Sequence, residues 1–264
     1  MSARGPSDGE LEWFDADREV ETEADWLSCP HPPTLLDFLN RRDTASRRKF
    51  FLFGAACVRR VWHLLTRPEL RAAVEAAEAF ADGLLGEPEL LAAHEAAEDC
   101  WRARRDEVSN PELCAGIAAA RLAPDIRGNH GNAELTSYAL GNVIDIAGQT
   151  AGQTAGPSRD EAWWAGHDAE CRVLADLFRC VMGNPFRPVA FAAEWRTPTA
   201  VAIARGMYES RDFSAMPVLA DALEEAGCPE PTVLGHCRDP KGLHARGCWV
   251  VDLVLDREPP PVVE

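Results

Sequence analysis

Residues 46–65 read Ser46-Arg47-Arg48-Lys49-Phe50-Phe51-Leu52-Phe53-Gly54-Ala55-Ala56-Cys57-Val58-Arg59-Arg60-Val61-Trp62-His63-Leu64-Leu65. Phe50, Phe53, Cys57, Val61 and Leu65 recur at three- and four-residue steps and draw one apolar stripe along a helix. Phe51, Leu52, Val58 and Trp62 widen the stripe. A helix this apolar has to be covered by others, so the segment is expected at the centre of an α-helical core.

The flanking sequence supplies those partners. Upstream, Thr22 reads as an N-cap with Asp25 in the capping-box position. A short helix through Trp26-Leu27 stops at Pro30, Pro32-Pro33 read as a spacer, and Thr34 reads as the cap of a helix over 35–39. Downstream, Pro68, Pro88 and Pro111 each fit the first turn of a helix. They open helices over 69–85, 88 to about 107, and 112–122, with Gly86 ending the first. Residues 123–157 differ. They hold Gly128, Gly131, Gly141, Gly148, Gly152 and Gly156, and Ala147-Gly148-Gln149-Thr150 is repeated at once as Ala151-Gly152-Gln153-Thr154. The pattern reads as a flexible insert. Beyond it, Ser158 caps a helix over 160–182 that Gly183 terminates. Further helices run from a cap at Thr197 or Thr199 through Tyr208, over 217–226 to Gly227, and over 230–237. Residues 247–255 fit either a helix or a buried strand.

The expected fold is therefore all-α, an antiparallel bundle or helical array in which N- and C-terminal helices pack as one module. Its parts are an acidic arm (1–21), an N-terminal helical part (22–122), the Gly-rich insert (123–157), a C-terminal helical part (158–256) and a Pro-rich tail (257–264). The abundance of Leu, Ala, Glu and Arg, with only 2 Tyr, agrees with helix over sheet.

No apolar run approaches the ~20 residues that span a bilayer, and Met1–Pro6 lacks the apolar core of a secretory leader. A cytosolic location is expected, in which the 9 cysteines are free thiols. The net charge of −16 works against nucleic acid and anionic membrane as partners. The charge is uneven. Acids crowd residues 8–25, and bases crowd 41–60, where Arg47, Arg48, Lys49, Arg59 and Arg60 are the candidate interaction residues. The plain reading is a disordered acidic tail beside a solvated helix face. The sharper one lays the arm over the basic helix.

Near the C-terminus stand Cys228, His236, Cys237, His244 and Cys248, five soft-metal donors within 21 residues. Cys228, Cys237, His244 and Cys248 form Cys-x8-Cys-x6-His-x3-Cys, a four-ligand set of the kind zinc takes in a tetrahedron. The first gap is far longer than the about two to four residues of the usual fingers. Thiols beside helix ends also serve as small buried side chains. Packing is accordingly the expected role and no cofactor is expected, with zinc the one candidate. Cys57, Cys100, Cys114, Cys171 and Cys180 lie in apolar helical patterns and read as inert core thiols. No P-loop, GxSxG, HExxH, EF-hand or GxGxxG pattern occurs. These features favour a non-catalytic interaction or scaffold module with an unidentified protein partner. The alternatives are a zinc-binding or thiol-dependent enzyme using the C-terminal cluster, and a nucleic-acid-associated regulator using the basic helix 41–60.

Several blocks resemble a large paralogous family of uncharacterised bacterial proteins, best known from planctomycetes. They are Thr22-Glu23-Ala24-Asp25-Trp26-Leu27, Arg48–Phe53 with Cys57–Leu65, Gly183-Asn184-Pro185-Phe186-Arg187-Pro188, and Leu219–Cys228 with His236-Cys237-Arg238 and Arg246–Asp252. The resemblance covers roughly 22–85 and 170–256. It implies that both ends belong to one packed unit, and it carries no activity to transfer.

Overall fold

The computed structural model describes residues 19–104, 110–120, 122, 132–154 and 159–263. Among the described residues there are twelve α-helices and no strand: α1 (Glu23–Ser28), α2 (Pro32–Arg42), α3 (Arg47–Arg60), α4 (Pro68–Ala81), α5 (Glu87–Arg104), α6 (Asn110–Ala120), α7 (Asn132–Thr154), α8 (Arg159–Met182), α9 (Pro198–Ser210), α10 (Met216–Glu225), α11 (Pro231–Arg238) and α12 (Trp249–Val254). The fold is all-α, as the periodicity indicates. The segment 247–255 resolves to a helix.

Local chemistry sets the ends of these elements. The Thr22 hydroxyl accepts the Asp25 N–H at 3.2 Å while the Asp25 carboxylate accepts the Thr22 N–H at 3.0 Å, a complete capping box. Ser46 caps α3 through the Lys49 N–H at 3.2 Å. Three boundaries differ from the sequence reading, the first being the end of α3, which stops at Arg60 and passes through a 3-10 turn over Trp62–Leu64 before Leu65. Pro32 and Pro33 are the first turn of α2, with His31 at the cap and Thr34 inside the helix, because proline's fixed φ suits that turn. Helix α4 stops at Ala81, followed by Gly83 at φ 70, short of Gly86.

Helix α3 is central, as its stripe predicts. Phe50, Phe53, Cys57, Val61 and Leu65 are all buried, in a core shared by α1 to α8. A second core gathers α9 to α12 with Cys180 of α8. The two ends of the chain are joined directly. Trp26 of α1 packs on Phe178 of α8 at 5.8 Å between centroids, and Arg179 donates to the Trp26 carbonyl at 2.9 Å. The Val263 N–H donates to the Pro185 carbonyl at 3.0 Å, and Pro260 and Pro261 are buried, so the described tail is packed against the body.

The Gly-rich stretch requires a correction. Residues 132–154 form helix α7, packed against α2, α3, α6 and α8. A Cβ on Gly148 would come within 2.7 Å of the Trp163 ring, and a Cβ on Gly166 within 2.6 Å of the Ala151 Cβ and 2.8 Å of the Ala147 carbonyl. These glycines permit a close crossing of α7 and α8. Their low helix propensity is offset by packing that sequence alone does not display. Residues 123–131, 155–157 and Ser158 lie outside the described residues, as does the acidic arm up to residue 18. Of that arm, Val20 is buried in the core and Glu19 pairs with Arg41 at 2.9 Å.

Candidate metal centre

Four side chains from three stretches of chain converge around Cys180 and Cys248 of the second core: these two with His236 and His244. Cys180 lies in the last turn of α8, and His236 in α11. His244 lies in the α11–α12 connection, and Cys248 is the N-cap residue of α12. Placement of Cys248 depends on Gly247, whose φ of 86 suits glycine. A Cβ there would meet the Leu52 side chain at 2.9 Å. The Gly247 carbonyl is held by Lys49 Nζ at 2.8 Å. Helix α3 thereby fixes the turn that presents Cys248.

All four donor atoms lie within 4.8 Å of one another. His236 Nε2 is 3.2 Å from Cys248 Sγ and 3.8 Å from Cys180 Sγ. His244 Nδ1 is 3.7 Å from Cys180 Sγ and 4.0 Å from Cys248 Sγ. A tetrahedral zinc with Zn–S of about 2.3 Å and Zn–N of about 2.0–2.1 Å requires S···N edges near about 3.6 Å. The four edges bracket that value. Two thiolates and two neutral imidazoles around a divalent cation also carry no net charge, which suits a site whose two cysteines are 3% and 0% exposed.

Burial acts to raise the Cys248 thiol, and hydrogen bonds with Cys180, His236 and His244, together with the charge effect of His236, outweigh it and hold Cys248 well below its usual value. The Cys180 thiol is pushed up by its hydrogen bond to Cys248 and by burial. One sulfur is thus poised as a thiolate, the form that ligates a metal.

Of the spacing-based set, His244 and Cys248 belong to this quartet and Cys228 and Cys237 do not. Both of the latter are buried, and burial pushes their thiols up. His236 and Cys237 are neighbours on one helix and face different ways, so only one can join. Cys180, read as an inert core thiol, completes the set from 56 residues away. No local spacing signals it.

The basic residues of α3 do not make a solvated face. Lys49 is fully buried against Asp252 at 2.6 Å. Arg48 forks onto the same carboxylate at 2.7 and 3.0 Å. Arg59 pairs with Glu78 at 2.5 Å, Arg60 pairs with Glu170, and Arg47 lies over the Phe51 and Phe80 rings. No family model, no curated protein and no solved structure matches the chain.

Proposed function

We propose that the chain is a zinc-binding protein in which Cys180, His236, His244 and Cys248 hold a closed structural centre within a non-catalytic helical module. The observation that carries this reading is the convergence of two sulfurs and two imidazole nitrogens within 4.8 Å. Four protein donors fill a tetrahedron and leave no open position for a reacting water, which separates structural from catalytic zinc. Thiol catalysis fits less well, because Cys248 is 0% exposed. The centre would tie α8 to the α11–α12 connection and so hold the second core against the first.

The test is metal content of protein purified without added metal. About one equivalent of zinc is expected, with a melting temperature that falls on chelation. Cobalt exchanged into the site should give the visible bands of a tetrahedral centre with sulfur ligands. Cys180→Ser and His236→Ala should each lose the metal, whereas Cys228→Ser and Cys237→Ser should keep it. Zinc well below one equivalent after refolding in its presence, with no chelator effect, rules the reading out.

A further inference from the structure

A second feature adjoins the centre and does not depend on it. Arg59 and Arg60 of α3, Arg211 at the end of α9 and Arg246 of the α11–α12 connection line a cleft of about 220 Å³ that holds one carboxylate, Glu78 of α4. Glu78 is 3% exposed. It accepts from Arg59 at 2.5 and 2.8 Å and from Arg211, and Arg246 Nη1 approaches it at 3.4 Å. Burial acts to raise this carboxyl, and the Arg59 and Arg211 hydrogen bonds outweigh it and hold it low, so Glu78 stays ionised.

Arg59, Arg211 and Arg246 thus converge on one buried carboxylate, with Glu75 adding a weaker negative charge near Arg211. Arg246 also reaches Asp82 at 2.8 Å, but Asp82 is already shared with Arg48 at 3.3 Å and Arg257 at 2.7 Å. This positive excess stands in a chain whose net charge is −16. Partly buried charge without a counter-charge is unfavourable, and an incoming anion would relieve it.

Two further observations point the same way. The Nε of Arg246 is buried and, among the described residues, has no hydrogen-bond partner. Arg211 caps α9 in the left-handed region, at φ 60 and ψ 18, where glycine or asparagine is the residue without strain. The strained backbone holds a guanidinium at the cleft. Leu52, Leu177 and Phe213 supply the apolar part of the lining, and His244 is the wall shared with the metal centre.

We propose that this cleft binds a small organic anion, a carboxylate or phosphate bearing a short apolar group. Its oxygens are taken by the arginines, whose planar forks match both headgroups, and its apolar body lies on Leu52, Leu177 and Phe213.

Calorimetric titration of the full-length protein, as purified, tests this. The probes are benzoate and phenyl phosphate, with acetate, inorganic phosphate and benzyl alcohol as controls. Saturable one-to-one binding of an aromatic anion is expected, tighter than for the bare anion and absent for the alcohol. The preferred aromatic probe identifies the headgroup. Arg211→Gly removes one guanidinium and also relieves the backbone, so its melting temperature should hold or rise while binding weakens by about tenfold or more. Arg238→Ala, at a surface arginine paired with Asp221 and Glu224, should bind as the parent does. The proposal is overturned if neither aromatic anion binds up to about 10 mM, a weak-affinity limit. It is equally overturned if acetate matches benzoate and inorganic phosphate matches phenyl phosphate, or if Arg211→Gly leaves binding unchanged.

Discussion

Lys49 Nζ lies 2.6 Å from Asp252 Oδ2 with neither side chain exposed, an ion pair that joins positions 203 residues apart. The same carboxylate accepts both Nη atoms of Arg48, at 2.7 and 3.0 Å. The two cations therefore depend on one acid more than the acid depends on either cation. Asp252→Ala leaves Lys49 without an anion and Arg48 with the Tyr208 hydroxyl at 2.9 Å and the longer contacts to Asp82 and Glu258, and should cost about 3–5 kcal/mol. Lys49→Met keeps the Arg48 fork and an apolar stem of similar length, and should cost less than half as much. Urea unfolding measures both, and equal losses would contradict this asymmetry.

Phe53 is fully buried and meets Phe178 edge to face at 4.8 Å between centroids. Phe53→Ala opens a cavity where α3 crosses α8 and should cost about 3–5 kcal/mol in equilibrium unfolding. Phe53→Leu, which keeps more of the volume, should cost distinctly less.

His94 is a buried base with Nδ1 3.2 Å from the Ala120 carbonyl, to which it donates. Burial lowers its pKa to about 4, against a partial opposing effect of that hydrogen bond and of Glu98. Unfolding restores a value near about 6.5, so between about pH 6.5 and 4 the unfolded chain binds the extra proton. Stability should fall through this window as pH falls, by on the order of 3 kcal/mol from this residue. In His94→Leu the stability-against-pH curve should be flatter over the same range. The difference between the two curves is the measurement, because carboxylates add acid sensitivity to both.

Glycines inside helices should respond with opposite signs. Gly206 in α9 has nothing within 4 Å of an added Cβ, so Gly206→Ala should stabilise by about 0.5–1 kcal/mol. Gly166→Ala gains the same propensity but drives a methyl into the α7 backbone, and should destabilise by about 1–3 kcal/mol. Deleting Ala151–Thr154 removes the turn of α7 that faces Gly166 and should cost more than about 1 kcal/mol. Thermal melts of the three variants check the ordering.

These elements also mark what the sequence discloses. The α3 stripe is legible because helical period is a local property, and so are the Thr22 box, the Ser46 start of the central helix and the glycines at 183 and 227. Helix α7 is hidden because the benefit of Gly148 and Gly166 depends on what stands opposite them. The direction of the basic residues of α3 is hidden for the same reason: Glu78, Asp82 and Asp252 are remote in sequence. The quartet is half legible. His244 and Cys248 stand in the C-terminal cluster, but the choice of His236 over Cys237 rests on helix rotation, and Cys180 arrives through tertiary contact alone.

The doubled Ala-Gly-Gln-Thr unit lies wholly inside α7. Four residues advance an α-helix by about 400° and about 6 Å, so a second copy lands roughly 40° from the first and on nearly the same face. Ala147 and Ala151 accordingly both meet Gly166. A gain of two residues would have turned the small side chains away from α8 and brought larger ones against it. Chain length in this part of the molecule is therefore quantised. A second copy of the unit lengthens a packed helix by about one turn without changing which way it faces.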